Sequence, residues 1–168
     1  METPYDLSAF RHRNILIVDD EPAMHQMFST CLHPEIEDDS YSLSDDGEIL
    51  VDSRKAIYNF NVFTAESGEQ GLEICKAQAK RNAPIQLAFV DMRMKGWDGV
   101  ETVKNIMEHD PRITFIIITG FPDDTREQVA ERIGAAQLQV FPKPTKLEEI
   151  YQSAYSMTKR WNRLHGDN

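Results

Sequence analysis

The stretch AFVDMRMKGWDG, residues 88–99, passes from a buried strand into a turn, and an acid stands at the change. Four apolar residues, 87–90, lead directly into Asp91, and Arg93 and Lys95 follow it. A short apolar run bounded by turn residues is typical of a strand buried on both faces of a parallel sheet. A carboxylate at the mouth of such a strand suggests a role beyond packing.

The combination of an apolar run and a helical pattern recurs five times along the chain. The runs are NILIVDD (14–20), NVFTA (61–65), QLAFVD (86–91), ITFIIITG (113–120) and LQVFPKP (138–144). Each is followed by residues with the apolar spacing of a helix. Five such units with strands this apolar predict an α/β fold, in which a parallel sheet is covered by helices on both sides.

One segment interrupts this alternation. About 26 residues separate the first helix from the second strand, where a compact connection uses ~2–6. We therefore predict an insertion over about 33–59. Its centre has apolar residues on both sides of Asp46-Gly47, which suits a hairpin turn, whereas its acidic start is typical of a mobile loop. The other predicted divisions are an N-terminal tail at 1–13, one domain at 14–156 and a C-terminal helix extension or linker at 157–168.

Composition and charge limit the classes of partner. The 168 residues suit a single domain, and the formal net charge is −10, from 28 acidic residues against 18 Lys and Arg. Because such a surface repels phosphate backbones and anionic lipid, we expect no direct binding to nucleic acid or to membranes. No apolar run has the length of a signal peptide or of a membrane span. The expected location is the cytoplasm.

Polar side chains stand where four of the five predicted strands end. Asp19 and Asp20 follow the first strand, Asp91 the third, Thr119 the fourth and Lys143 the fifth. Since ligands of open α/β sheets bind beyond the carboxyl ends of the strands, we expect these side chains to converge. Three packed carboxylates repel one another, and Mg²⁺ resolves the conflict because it takes carboxylate and phosphate oxygens. Asp91 is then the candidate acceptor of a phosphoryl group.

Several of these segments together resemble a known family. The residues ILIVDDEP (15–22), AFVDM (88–92), WDG (97–99), FIIITG (115–120) and FPKP (141–144) look like the receiver domain of two-component response regulators, from Asn14 to about Arg160. The resemblance implies a flavodoxin-like doubly wound sheet with strand order 2-1-3-4-5. WDG, the insertion and the basic, aromatic tail look more narrowly like receivers attached to sensor kinases or diguanylate cyclases.

The resemblance also implies a metal and a partner. A histidine kinase would phosphorylate Asp91, and the protein would catalyse only its own phosphorylation and dephosphorylation. Mg²⁺, with Mn²⁺ as an alternative, would be bound by Asp20, by Asp91 and by the backbone carbonyl of Arg93. Asp19 would act on the metal through water.

Further roles follow by position in the family. Thr119 would hydrogen-bond one phosphoryl oxygen, and Lys143 would pair with another. The Lys143-Pro144 peptide would be cis. Arg93 and Phe121 would flank the mouth of the site and influence how long the phosphoryl group lasts.

Two positions depart from the family pattern. Receivers usually carry Tyr or Phe three residues before the Lys, and its ring reports phosphorylation to the face formed by the fourth helix, fifth strand and fifth helix. Here that position is Val140, followed by Phe141. Lys95 stands where Pro is common, which gives the loop more freedom and adds a cation near an anionic pocket.

The last predicted helix carries a heptad pattern. Its apolar positions, spaced 3, 4, 3, 4 and 3, are Leu147, Ile150, Ala154, Met157, Trp161 and Leu164. The first half is expected to pack on the sheet, whereas a domain edge would leave the last three residues exposed. We therefore predict pairing with a second copy or continuation into an attached output domain. Leu164-His165-Gly166 is also a plausible helix stop, which is compatible with a single-domain protein.

Two classes of function remain open. The first is a phosphorylatable signalling switch, and the second is a pseudo-receiver that acts as an interaction or dimerisation module without phosphorylation. A Mg²⁺-dependent phosphatase is disfavoured because no second acid stands two residues after Asp91.

Overall fold

The computed structural model describes residues 7–33, 41–43, 49–51, 59–121, 123–134, 138–143 and 145–166. Seven strands and five helices occur among them. In chain order they are β1 (Asn14–Val18), α1 (Pro22–Leu32), β2 (Tyr41–Leu43), β3 (Ile49–Val51), β4 (Asn61–Ala65), α2 (Gly68–Lys80), β5 (Leu87–Asp91), α3 (Gly99–His109), β6 (Thr114–Thr119), α4 (Arg126–Ile133), β7 (Gln139–Pro142) and α5 (Leu147–His165).

The main sheet has five parallel strands in the order β4-β1-β5-β6-β7. β2 and β3 form a separate pair. When only the five strands of the main sheet are counted along the chain, β4 is the second strand and the order is 2-1-3-4-5, so the fold prediction is confirmed. Ile15 of β1 lies opposite Val62 on one side and Leu87 on the other. All residues of β1 and β5 are buried, because both strands have neighbours on each side and helices on each face.

Two apolar cores lie on opposite faces of the sheet. One contains residues of α2, α3 and α4, such as Cys75, Ile106 and Val129. The other contains residues of α1 and α5, such as Phe28 and Ile150. The sheet is therefore covered on both faces, and its two ends are left for loops.

The predicted insertion contains a small antiparallel hairpin. β2 pairs with β3, with Tyr41 opposite Val51. This is the hairpin alternative of the sequence, and its proposed turn at Asp46-Gly47 lies outside the described residues. The base of the insertion is closed by a 3.0 Å hydrogen bond from the backbone N–H of Phe60 to the carbonyl of Leu32.

The helix α5 corrects one expectation. It continues without a break through the proposed boundary at 156/157, and Trp161 is only 3% exposed. The Trp161 ring packs edge-on against His12, and the guanidinium of Arg112 lies 5.7 Å from its centroid. The expectation that Trp161 is exposed is therefore wrong, because other segments of the same chain cover it. Met157 is also not fully exposed, because it packs partly buried against the core of α1 and α5, whereas Leu164, at 55%, is exposed as expected.

Residues 7–13, which precede β1, also pack against α5. Leu7 is fully buried in the core shared by α1 and α5. The side chain of Asn162 accepts a hydrogen bond from the His12 backbone N–H at 3.0 Å and donates one to its carbonyl at 2.8 Å. Residues 7–13, predicted as part of a tail, thus pack along α5. None of the described helices is both long and apolar enough to cross a membrane.

Candidate functional site

The polar residues predicted to converge lie together at the edge of the sheet where the strands end. Asp19 follows β1, and Asp91 and Thr119 are the last residues of β5 and β6. All three are nearly buried, at 3–5% exposure. Their positions follow from the parallel arrangement, because strands that run in one direction end at one edge.

Lys143, just after β7, links the carboxylates of this edge. Its Nζ lies 3.1 Å from Asp91 Oδ1 and 3.3 Å from Asp19 Oδ2, with Glu21 Oε1 at 3.7 Å. Its backbone N–H donates to the carbonyl of Thr119 at 2.7 Å. One ammonium group therefore stands among three acids, and its backbone is held to the neighbouring strand.

The acids Asp19, Asp20 and Asp91 form a cluster suited to a cation. Each offers a carboxylate oxygen, and these oxygens lie within 4.8 Å of one another. Burial raises the pKa of Asp91 above its usual value; the Lys143 hydrogen bond opposes this shift, and the charges of Asp19 and Asp20 add to it. Burial by itself lowers the pKa of Lys143. Its hydrogen bond with Asp91 and the charges of the nearby acids raise the pKa by more than this, so the net shift is upward.

This donor set fits Mg²⁺. The ion prefers carboxylate oxygens and keeps several of its waters, and a cluster of three acids with one cation still has an excess of negative charge. Asp19, Asp20 and Asp91 are therefore the residues that can hold it.

The loop after β5 is fixed against the start of α3. Asp98 caps α3 and accepts a 2.8 Å hydrogen bond from the Glu101 backbone N–H. A Cβ on Gly99 would lie 2.7 Å from the carbonyl oxygen of Asp91. Since only glycine permits this approach, the WDG sequence sets the backbone next to the candidate acceptor.

The sequence did not single out Asp124, which contacts two of the predicted site residues. The Thr119 hydroxyl donates a 2.8 Å hydrogen bond to Asp124 Oδ2, and Arg93 pairs with Asp124 Oδ1 at 3.3 Å. The Arg93 guanidinium also lies 4.5 Å from the centroid of the Phe121 ring. Asp124 stands in a loop without periodic pattern, so spacing gave no signal for it.

His25 and Glu21 were also missed. His25 Nε2 lies 2.6 Å from the carbonyl oxygen of Asp19, and Asp19 Oδ1 accepts a 2.8 Å hydrogen bond from the Glu21 backbone N–H. These contacts orient the loop that carries Asp19. An acid at the helix start, followed four residues later by histidine, was the signal available in the sequence.

The two middle residues of β7 point to opposite faces. Val140 packs against the core of α2, α3 and α4, whereas Phe141 packs against that of α1 and α5. Because side chains alternate across a strand, Phe141 does not take the place of an aromatic residue at 140. Pro144 lies outside the described residues, and so does the proposed cis peptide.

A cavity of about 320 Å³ lies beside the acids. It is lined by Asp20, Met92, Arg93, Met94, Lys95, Asp98 and Arg132. Lys95 thus stands at the rim of the site, where the sequence placed an added cation. The role of the Arg93 carbonyl stays a prediction.

The chain belongs to the response regulator receiver domain family. The family model described as "Response regulator receiver domain" matches residues 36–155. The match begins after β1 and α1, so the resemblance seen from Asn14 extends further than the matched range. The structure nevertheless places β1 in the middle of the sheet.

Named relatives show the same likeness. Sporulation initiation phosphotransferase F of Bacillus subtilis is 30% identical over 115 residues, which cover 68% of this chain and 84% of the relative. A cyclic di-GMP phosphodiesterase of Thermotoga maritima is 29% identical over 113 residues, which cover 67% of this chain and 27% of the relative. The match thus spans about a quarter of the phosphodiesterase, and these 113 residues are the part that the two proteins share.

Solved structures share the fold. A response regulator receiver domain protein (CheY-like) of Methanospirillum hungatei superposes with a TM-score of 0.61 at 19% identity, and covers 91% of this chain and 98% of its own. A structure named as adenylate cyclase from Rhodopirellula baltica gives a TM-score of 0.66 at 23% identity, with 93% and 94% covered.

Proposed function

We propose that this receiver domain is a phosphorylation switch whose acceptor is Asp91. The observation that carries the proposal is the contact of Lys143 with both Asp91 and Asp19, beside a three-acid cluster that fits Mg²⁺. A domain that binds proteins without phosphorylation has no need for a partly buried ammonium among acids, because removing charge from water is costly.

The proposed reaction transfers a phosphoryl group from a phosphohistidine of a histidine kinase. An oxygen of the Asp91 carboxylate attacks phosphorus, the P–N bond breaks as the P–O bond forms, and the leaving imidazole takes up a proton. Bound Mg²⁺ would neutralise charge on the phosphoryl oxygens. Lys143 lies 3.1 Å from Asp91 Oδ1, so its ammonium can follow the charge from the carboxylate to a phosphoryl oxygen.

Thr119 and the rim residues complete the proposed site. Thr119 ends the strand next to Asp91 and can donate its hydroxyl to a phosphoryl oxygen once it leaves Asp124. Arg93 and Phe121, whose guanidinium carbon and ring centroid lie 4.5 Å apart, would flank the mouth of the site and influence access of water. Hydrolysis of the acyl phosphate then returns Asp91 to its carboxylate, and the protein acts on no other substrate.

The proposed output is a change at the face formed by α4, β7 and α5. Leu147 at the start of α5 is 52% exposed. A partner copy or an attached output domain is proposed to bind there. The intramolecular cover of Trp161 removes that residue from the proposed seam, so Leu147 and Leu164 are the exposed apolar candidates.

Phosphorylation by acetyl phosphate tests the proposal. With Mg²⁺ the intact protein is expected to gain the mass of one phosphoryl group, and Asp91→Asn is expected to gain none. Asp123→Asn, which changes an exposed acid outside the cluster, is the matched control and should be modified like the parent. An unmodified parent that also fails to bind Mg²⁺ would instead support the pseudo-receiver.

A further inference from the structure

The hydroxyl of Thr119 donates its hydrogen bond to Asp124, the same bond that the proposed function requires it to donate to a phosphoryl oxygen. From this geometry we infer that Asp124 is a positioning residue that stabilises the unphosphorylated conformation. On phosphorylation, the Thr119 hydroxyl would leave the Asp124 carboxylate and donate to the phosphoryl group on Asp91. The inference rests on the proposed function, since it concerns the same site.

The hydrogen bonds of Thr119 make the exchange exclusive. A hydroxyl has one proton to donate, and Thr119 donates it to Asp124 Oδ2 at 2.8 Å. Its oxygen at the same time accepts the Phe121 backbone N–H at 3.1 Å. Thr119 therefore cannot donate to a phosphoryl oxygen while it is bonded to Asp124.

Arg93 fixes the Asp124 carboxylate from the other side. It pairs with Oδ1 at 3.3 Å, and the Asp124 side chain is only 10% exposed. The carboxylate thus has a donor on each oxygen: Thr119, which is predicted to bind the phosphoryl group, and Arg93, which is predicted to flank it. A phosphoryl dianion at Asp91 offers the Thr119 hydroxyl the same kind of acceptor with more charge.

The exchange also reaches α4 without an aromatic residue at position 140. Asp124 directly precedes Thr125, whose side chain and Gln128 form the capping box of α4. Release of Asp124 frees the loop that leads into this cap. Val140 has no aromatic ring that could report phosphorylation in the way usual for the family. The contact of Thr119 with Asp124 supplies another connection to the same face.

Binding of beryllium trifluoride with Mg²⁺ tests the inference, because this anion occupies the place of a phosphoryl group. A typical net hydrogen bond corresponds to about a threefold to tenfold change in affinity. Calorimetric titration is therefore expected to show about threefold to tenfold tighter binding for Asp124→Ala. Asp124→Asn keeps an acceptor oxygen, so it is expected to fall between the parent and Asp124→Ala.

A double-variant comparison separates release of Thr119 from simple removal of negative charge. In Thr119→Val the hydroxyl is absent, so adding Asp124→Ala should leave the affinity unchanged. Equal tightening with and without the hydroxyl, or tightening by Asp124→Asn as large as by Asp124→Ala, would overturn the inference in favour of a charge effect. If Asp124→Ala does not fold, Asp124→Leu, which branches at the same carbon but has no acceptor, takes its place.

The two proposals fail in different ways. If the parent protein does not bind beryllium trifluoride with Mg²⁺, the phosphorylation switch itself is wrong. If the parent binds and the Asp124 variants bind equally well, the switch stands and the role of Asp124 is wrong.

Discussion

Replacing Lys143 by Met should destabilise the metal-free protein, because the substitution leaves Asp19 and Asp91 without their shared cation. At an effective dielectric constant of about 20, pairs at 3.1 and 3.3 Å are each worth about 5 kcal/mol of gross Coulomb energy. Desolvation of the ammonium offsets much of this. Removing one partner of a buried pair costs about 3–5 kcal/mol in total.

The expected net loss for Lys143→Met is smaller, about 2–3 kcal/mol, for two reasons. The Lys143 side chain keeps 22% exposure, so solvent screens part of its charge. Asp91 can also take up a proton, since its pKa is already raised by burial, and protonation limits the repulsion. For a domain of this size, the loss corresponds to a fall in Tm of about 4–12 °C.

Thermal unfolding followed by circular dichroism, with EDTA and with saturating Mg²⁺, measures this loss. Mg²⁺ should restore most of the stability of Lys143→Met, because the ion supplies the missing positive charge, and it should stabilise the variant more than the parent. Lys146→Met is the matched control: its side chain is 82% exposed and pairs with Glu149 at 4.0 Å, so a change within about 1 kcal/mol is expected. Equal Tm values for Lys143→Met and the parent in EDTA would refute the reasoning.

Two further predictions concern stability. The raised pKa of Asp91 means that folding favours its protonated form, so the group contributes stability at low pH that is lost as pH rises through the raised pKa. In urea unfolding at neutral pH, metal-free Asp91→Asn should therefore be more stable than the metal-free parent. A stability difference that stays equally large in acid would contradict this. Trp161→Ala should cost about 3–5 kcal/mol and the exposed Leu164→Ala within about 0.5, whereas equal losses would show that Trp161 is not packed as described.

Periodicity and strand order explain how much of the fold was predictable. The five apolar runs were predicted as strands from their length and turn residues, and each of them contains a strand of the sheet. The central strands β1 and β5 are buried throughout, whereas the edge strands β4 and β7 are partly exposed. The order 2-1-3-4-5 came from the resemblance and is observed. The meeting of Asp19, Asp91 and Lys143 needs no side-chain detail, because parallel strands that start in register end together.

Other features depend on contacts that have no sequence period. Asp124 is one acid in an irregular loop, and its importance comes from the direction in which its side chain points. Trp161 fitted an exposed heptad seam equally well, because nothing in the pattern shows that Leu7 and His12 pack along α5. Long-range cover by an irregular segment is a tertiary effect that overrides local pattern.

The closed base of the insertion gives this fold a place where chain length can vary at little energetic cost. The Leu32 carbonyl and the Phe60 N–H are joined at 3.0 Å, and α1 carries the chain away from the acidic edge before the insertion begins. By loop-closure entropy, doubling the number of residues between two fixed chain ends costs only about 0.6 kcal/mol. A change of length between α1 and β4 should therefore leave the acidic edge undisturbed, and we expect a peptide tag inserted there to leave the proposed phosphoryl transfer to Asp91 intact.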